Sequence, residues 1–358
     1  MKAKAMKASA IVLRALGTCA LAVLAACNST MNGTNTLPQG VGAQNKAHKA
    51  SPDGDLLYVD DGGFNGFDSY AVVYTYPQGK HAGKLTGFFG PQGECSDSNG
   101  DVFIVTITSL SEHSTTVYEY AHGGSTPIAT LSEPGEGYGC SIDPTTGNLA
   151  VANLYDETNP YGPDYGDVAV FPGAQGSSTM YYPSTGENFY YCGYDDTGNL
   201  YLSDSTADGL GLARLPSGGN SIESVNLDVA LHHGYVFYPS VQWDGKEITV
   251  SSTLKDEMNP RYSGPINVYQ LSISGSSATV VGTTTLKATQ ERHRGQSWIQ
   301  GGTIIGINYY KGRPQVTFWK YPEGGMPTKE ITHAQKPAAS NFLGLTISLA
   351  PSRSGIHR

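Results

Sequence analysis

The residues of this 358-residue chain best suited to chemistry are Cys95, Cys140 and Cys192, each with reactive neighbours. Glu94 stands just before the first, Tyr138 two places before the second, and Tyr190-Tyr191 just before the third, in YYCGYDDTGNLYLSD (190–204). Four readings compete. A catalytic thiol needs a histidine or similar base to lower its pKa. Three thiolates would suit a soft metal, although the intervals of 45 and 52 residues are long for one site. A disulfide, Cys95–Cys140 or Cys140–Cys192, suits an oxidising compartment and needs Cα atoms within ~7 Å. The blandest reading, a small buried thiol used for packing, is the favoured one.

Other groups extend the list. His232-His233 could supply a base or a ligand, but adjacent strand residues point to opposite faces, so one histidine at most serves a site. Arg292-His293-Arg294 is a basic island in an acidic protein. Tyr155, Tyr161 and Tyr165 lie in a Gly/Pro/Asp-rich stretch, and tyrosine offers sugars or proteins a flat apolar body with a polar tip. No G-x-S-x-G elbow or H-E-x-x-H motif occurs. SPDGD and SDSNGD lack the rest of an EF-hand loop, so their acids read as turn formers. No catalytic residue is assigned.

What must position these groups is a repeat. SPDGDLLYVDD (51–61), SDSNGDVFIVT (96–106), DPTTGNLAVAN (143–153), DDTGNLYLSD (195–204), WDGKEITVSS (243–252) and QGGTIIGIN (300–308) each join a tight turn to a β-rich run. Their turn glycines, Gly54, Gly100, Gly147, Gly198, Gly245 and Gly302, are spaced by 46, 47, 51, 47 and 57 residues. A second strand ending in a Gly-rich turn and a third, outer strand follow each run, and a further β segment precedes most of them. Four antiparallel strands in each of six such units is the content of propeller blades. The composition agrees, with 45 Gly, 20 Pro and 23 Tyr. The first unit lacks its inner strand, and FLGLTISL near the C-terminus is an inner strand without followers. Joined, they complete one blade and close the ring, so the expectation is an all-β, single six-bladed β-propeller. The cysteines then fall near the start of the inner strands of consecutive blades, where small residues are needed. Glu94, Tyr138, Tyr190, Tyr191, His232 and Arg294, leading into inner strands, gather at the mouth of the central channel. Asn153 and Asp204, ending second strands, join them as candidate binding residues.

The N-terminus reads as an address. Lys2, Lys4, Lys7 and Arg14 precede an apolar run from Ala15 to Ala26, too short for the ~20 residues of a membrane-spanning helix. It suits an export signal. Leu24-Ala25-Ala26-Cys27 resembles the bacterial lipobox, which implies cleavage before Cys27 and lipid on its thiol. Residues 1–26 are thus expected to be a signal peptide, 27–49 a lipidated cysteine and polar tether, and 50–358 the propeller. Without the leader, 18 basic residues face 31 acidic ones, a net charge of −13. That excludes nucleic acid as a natural partner and assigns membrane attachment to lipid.

GNLAVAN…GDVAVFPGAQG and GNLYLSD…LARLPSGG resemble the NHL-type repeats of six-bladed propellers. The resemblance implies fold far more than activity, since similar propellers include binding scaffolds, calcium-bound lactone hydrolases and lyases. Glu94, Asn153 and Asp204 could imitate a calcium-binding set of that kind. No metal site or cofactor is otherwise indicated. The expected function is a monomeric, lipid-anchored binding or scaffold module at the cell envelope, at the outer membrane where there are two membranes. Its partner would be an envelope protein or glycan. The alternative is a metal-dependent hydrolase or lyase.

Overall fold

The computed structural model describes residues 54–62, 69–108, 114–183, 187–206, 209–227, 239–255, 263–287, 293–310, 313–332 and 342–351. All belong to the compact unit Ala47–Arg358. Among them the only helical element is a three-residue 3-10 turn, Pro172–Ala174, and no helix is long and apolar enough to cross a membrane.

The first sheet holds β1 (Leu56–Asp61), β2 (Tyr70–Thr75) and β3 (His81–Thr86). The second is β4 (Pro91–Ser96), β5 (Val102–Ile107), β6 (Ser114–Tyr120) and β7 (Ala129–Pro134). The third is β8 (Gly137–Ile142), β9 (Leu149–Asn153), β10 (Val168–Phe171) and β11 (Thr179–Tyr181). The fourth is β12 (Phe189–Tyr194), β13 (Leu200–Thr206), β14 (Gly209–Leu215) and β15 (Glu223–Ser224). One larger sheet follows. It starts with β16 (Asn226–Leu227), β17 (Val241–Trp243), β18 (Ile248–Lys255), β19 (Ser263–Ser274) and β20 (Ser277–Leu286). It continues with β21 (His293–Gln300), β22 (Thr303–Tyr310), β23 (Arg313–Lys320) and β24 (Gly324–Thr332). A parallel bridge, Leu286 to Gly325, joins its two halves.

The sequence places the expected outer strand of the fourth unit in one run, SIESVNL. The structure splits it. β15 pairs β14, and β16 leaves to pair β20 in parallel. The hinge is Val225, whose amide donates to Leu212, while the Asn226 amide donates to Ser276 in the next sheet.

Strand β25 (Leu345–Ser348) pairs antiparallel with β1, as the incomplete first unit requires. A second contact closes the circle. Leu57, Val59 and Val72 of the first sheet share a core with Ile305, Ile307 and Phe318 of the last. Each successive pair of sheets encloses a similar core, such as Val105 and Val117 against Val151 and Phe171. Strands such as β1, β5 and β10 are therefore buried on both faces and read as unbroken apolar runs. Each fully buried Val, Leu or Ile contributes about 1.5–3 kcal/mol.

The inner strands crowd together. A Cβ on Gly344 would collide with the Asp60 carboxylate and the Gly93 backbone, and one on Gly139 would strike Tyr191. The turns behave as their chemistry implies. The Asp97 carboxylate accepts from the amides of Asn99 and Asp101 at 2.9 and 2.8 Å, with Gly100 at φ +84°. Asp195 repeats the pattern with Thr197 and Asn199, both amides at 2.9 Å. Burial opposes its charge, but the donors from Asn199 and Thr197 outweigh that and hold it below the usual carboxylate range.

Candidate functional site

Inner strands begin on one face, the loop face, and end at the Asp/Gly turns on the other. The centre of the ring is stitched by side chains. The Gln296 side chain accepts from the Glu94 and Leu345 amides at 3.0 and 3.2 Å and donates to the Glu94 carbonyl at 2.7 Å. The Tyr191 hydroxyl donates to the Leu343 carbonyl at 3.2 Å, linking β12 to the chain leading into β25. Tyr191 is only 1% exposed, so it is a structural tie. Tyr138 and Tyr190 are half-buried and meet edge to face, ring centres 5.5 Å apart.

Two groups of buried acids lie near this face. Asp60 and Glu94 are fully buried, and the Thr346 backbone amide is directed at the Glu94 carboxyl. Burial pushes both carboxyls upward, and the Asp60 charge adds to the rise at Glu94. Such a pair is stable when it holds protons. Asp60 also anchors the closing strand, accepting from the Leu343 amide at 3.1 Å and donating its own amide to Gly344 at 3.0 Å.

The second group centres on Asn153. Its Nδ2 donates to Asp167 at 2.7 Å and to Glu133 at 3.1 Å. Asp167 bonds Asp156, and burial first, then that bond, pushes Asp167 up to about 9. Glu133 is raised well above its ordinary range by burial and the Asp167 charge. The Asp156 carboxylate accepts from the Thr158 amide at 2.6 Å and hydroxyl at 2.7 Å.

This group roots the loop between β9 and β10. The Asn159 side-chain amide donates to the Gly166 carbonyl at 2.8 Å, and that of Asn188 to the Leu154 and Asp164 carbonyls at 2.6 and 2.8 Å. Backbone bonds from Asp156 to Tyr165 and from Gly162 to Asn159 fix its interior. Held in this way, Tyr161 and Tyr165 are 53% and 37% exposed: large apolar side chains presented from a fixed frame.

Of the residues expected at the mouth, Glu94 joins Asp60, and Asn153 joins Glu133 and Asp167, so these two stand in separate clusters. Asp204 is buried on β13, opposite Phe189 and Gly211. Among the described residues no three acid, histidine or cysteine side chains are disposed to hold a metal ion. His232 lies outside the described residues, as do Cys27 and the Arg294 side chain, although the Arg294 backbone belongs to β21. Glu133, Asp156 and Asp167 were not singled out from the sequence. Strand alternation carries a signal for Glu133, because in LSE it shares a face with buried Leu131. The cysteine question is settled by geometry. Cys95 and Cys140 form a disulfide with Cα atoms 5.5 Å apart, because inner strands of neighbouring sheets approach that closely. The packing reading is therefore corrected for these two and kept for Cys192, a buried free thiol pushed upward by burial.

No family model and no curated protein matches the chain. Solved structures do match. TolB from Acinetobacter baumannii aligns with TM-score 0.54 and 10% identity, over 82% of this chain and 66% of that one. A chain of a nidogen/laminin complex aligns with TM-score 0.52 and 11% identity, over 82% and 99%. The chain folds as a β-propeller. A third propeller-type match, a putative 6-phosphogluconolactonase from Bacteroides uniformis, has TM-score 0.51 and 12% identity, over 80% and 85%. At such identities the likeness concerns fold alone, and this propeller shares its architecture with binding proteins and enzymes alike.

Proposed function

We propose that this chain is a lipid-anchored, extracytoplasmic six-bladed β-propeller that works as a glycan-binding module at the cell envelope. The six blades are the four sheets β25-β1-β2-β3, β4–β7, β8–β11 and β12–β15, together with β17–β20 and β21–β24. The lipobox-like Leu24-Ala25-Ala26-Cys27 supports the anchor, and the Cys95–Cys140 disulfide suits an oxidising compartment. The observation that carries the binding reading is the loop rooted by Asp156, Asn159 and Asn188, which holds Tyr161 and Tyr165 exposed. A tyrosine face suits the apolar face of a sugar ring, and a fixed loop lowers the entropy lost on binding. The hydrolase or lyase reading would want Glu94, Asn153 and Asp204 at one centre, whereas among the described residues Glu94 and Asn153 belong to separate clusters.

The test is binding of the lipid-free protein to a panel of envelope glycans, with Tyr161→Ala/Tyr165→Ala as the variant. We expect at least about tenfold weaker binding, the scale of one or two lost aromatic anchors, with an unchanged melting temperature. Equal binding by variant and wild type, or no glycan bound by either, rejects the reading. Cys27→Ser should move the protein from the membrane to the soluble fraction, and retention on the membrane would remove the lipid anchor.

A further inference from the structure

The loop that presents Tyr161 and Tyr165 belongs to the longest stretch of the chain without a base. Residues 123–213 carry twelve Asp and Glu and no Lys, Arg or His, whereas residues 214–358 carry fourteen Lys and Arg against nine acids. The bases that flank the acidic stretch are committed at the turn end of the blades, away from the loop. His122 is bonded to the Ser348 hydroxyl and the Gly54 carbonyl. Arg214, opposite Tyr201 near the start of β13, is paired with Glu223 at 3.0 Å.

Within the loop, acids and rings share one fixed frame. Glu157 and Asp164 are exposed, as Tyr161 and Tyr165 are. The Tyr161 amide donates to the Asn159 side-chain oxygen at 2.9 Å, and the Tyr165 amide to the Gly162 carbonyl at 3.3 Å. A Cβ on Gly162 would lie 3.5 Å from the Tyr165 ring, so that ring rests beside the Tyr161 backbone. Two more acids border the loop: the Glu136 amide donates to the Tyr155 carbonyl at 2.6 Å, and the Gly166 amide to the Glu187 carbonyl at 2.7 Å. Beneath it, the charges that act on buried Glu133 are those of Asp167 and Asp156. The tyrosine face is thus set in a negative field. Such a field repels an acidic sugar and gives a neutral one nothing. A cation gains from the carboxylates and from the negative face of a tyrosine ring.

We propose, on the footing of the glycan reading of this loop, that the sugar it takes is an amino sugar with a free ammonium group, a glucosamine-type ring rather than a neutral or acidic one. The apolar face of the ring lies on the tyrosines, and the ammonium meets the carboxylates of Glu157 and Asp164 at the rim. Each exposed ion pair contributes a small factor, and a cation over an exposed tyrosine contributes about as much.

The probes are the β-1,4-linked tetramers of glucosamine and of glucose, which differ only in an ammonium or a hydroxyl at C2. Each is titrated calorimetrically against the full chain at low ionic strength and at a pH where the amines are protonated. We expect the glucosamine tetramer to bind about tenfold more tightly. In 1 M salt, where the screening length is ~3 Å, the two affinities should converge. Glu157→Gln/Asp164→Asn should cut the preference to about twofold or less and leave the affinity for the glucose tetramer in place. Tyr161→Ala/Tyr165→Ala should weaken both tetramers. Equal affinities, or a tighter glucose tetramer, overturn the inference and leave the glycan reading standing. So does failure of both tetramers while another glycan of the envelope panel binds. If no glycan binds at all, both readings fall. Glucosamine binding that survives the tyrosine substitutions, or a preference that survives Glu157→Gln/Asp164→Asn, assigns the effect to general attraction by an acidic protein and also overturns the inference.

Discussion

Replacing Asp167 by Asn tests the chemistry beneath the tyrosine loop. Burial and the bond to Asp156 raise Asp167 to about 9, whereas an unfolded aspartate titrates near ~3.9. Between those values the folded protein holds a proton that the unfolded chain has released. The contribution is complete below about pH 4, declines as pH rises and is gone above about pH 9. One proton changes stability by about 1.4 kcal/mol per pH unit. From pH 5 to pH 8 the wild type should therefore lose up to ~4 kcal/mol through this group alone. Asn keeps the geometry, since its oxygen can accept from Asn153 and its amide can donate to Asp156 as the protonated acid does. It carries no titrating proton. Urea unfolding of both proteins across that range, at fixed ionic strength, reads the difference. Glu133 is raised by burial and in part by the Asp167 charge, so its own loss with pH shrinks in the variant and adds to the difference in the same direction. We expect the variant to match the wild type near pH 5 and to exceed it progressively toward pH 8. Parallel stability profiles would show that Asp167 is ionised in the folded state and refute the reasoning.

Three further outcomes follow from the ring. Cys95→Ser/Cys140→Ser opens a link across 45 residues, and chain entropy puts the loss at about 4 kcal/mol; a change in urea stability below about 1 kcal/mol would contradict it. Gln296→Leu leaves the Glu94 amide and carbonyl and the Leu345 amide without this partner. At about 1–3 kcal/mol for each buried orphan, we expect a stability loss of about 3–5 kcal/mol by urea denaturation. Deleting residues 342–358 removes β25 and the Leu343 and Gly344 partners of Asp60, and calorimetry should then show no cooperative melting. An unchanged transition would mean that β25 does not complete the first sheet.

Much of the architecture was legible because turns and alternation are local. Asp97–Gly100 and Asp195–Gly198 announce hairpins through residues that form them directly, and an unpaired FLGLTISL at one end matches a missing strand at the other. The split at Val225 was not legible, because the choice between β14 and β20 depends on a neighbour about 50 residues away. The candidate site was read only in part. Position in the repeat placed Asn153 at a strand end, but its partners come from β7 and from the far end of the loop that follows. Periodicity cannot reveal such a meeting. Tyr191 shows the converse: its location was legible, but its hydroxyl was committed to Leu343 across the ring. The cysteines divided on a few ångströms between Cα atoms, a quantity that spacing along the chain does not contain.

The pairing of β1 with β25 has a consequence for the order of events when the chain is delivered from its N-terminus. Leu57 lies opposite Ile347, so the first described strand cannot complete its sheet until the last one arrives. Until then Asp60 lacks the Leu343 amide, and the core shared by Val59 and Phe318 has only one side. Contacts so distant in sequence form late. A chain threaded through a narrow pore would thus stay free of its final lock throughout passage and close only once its tail is through.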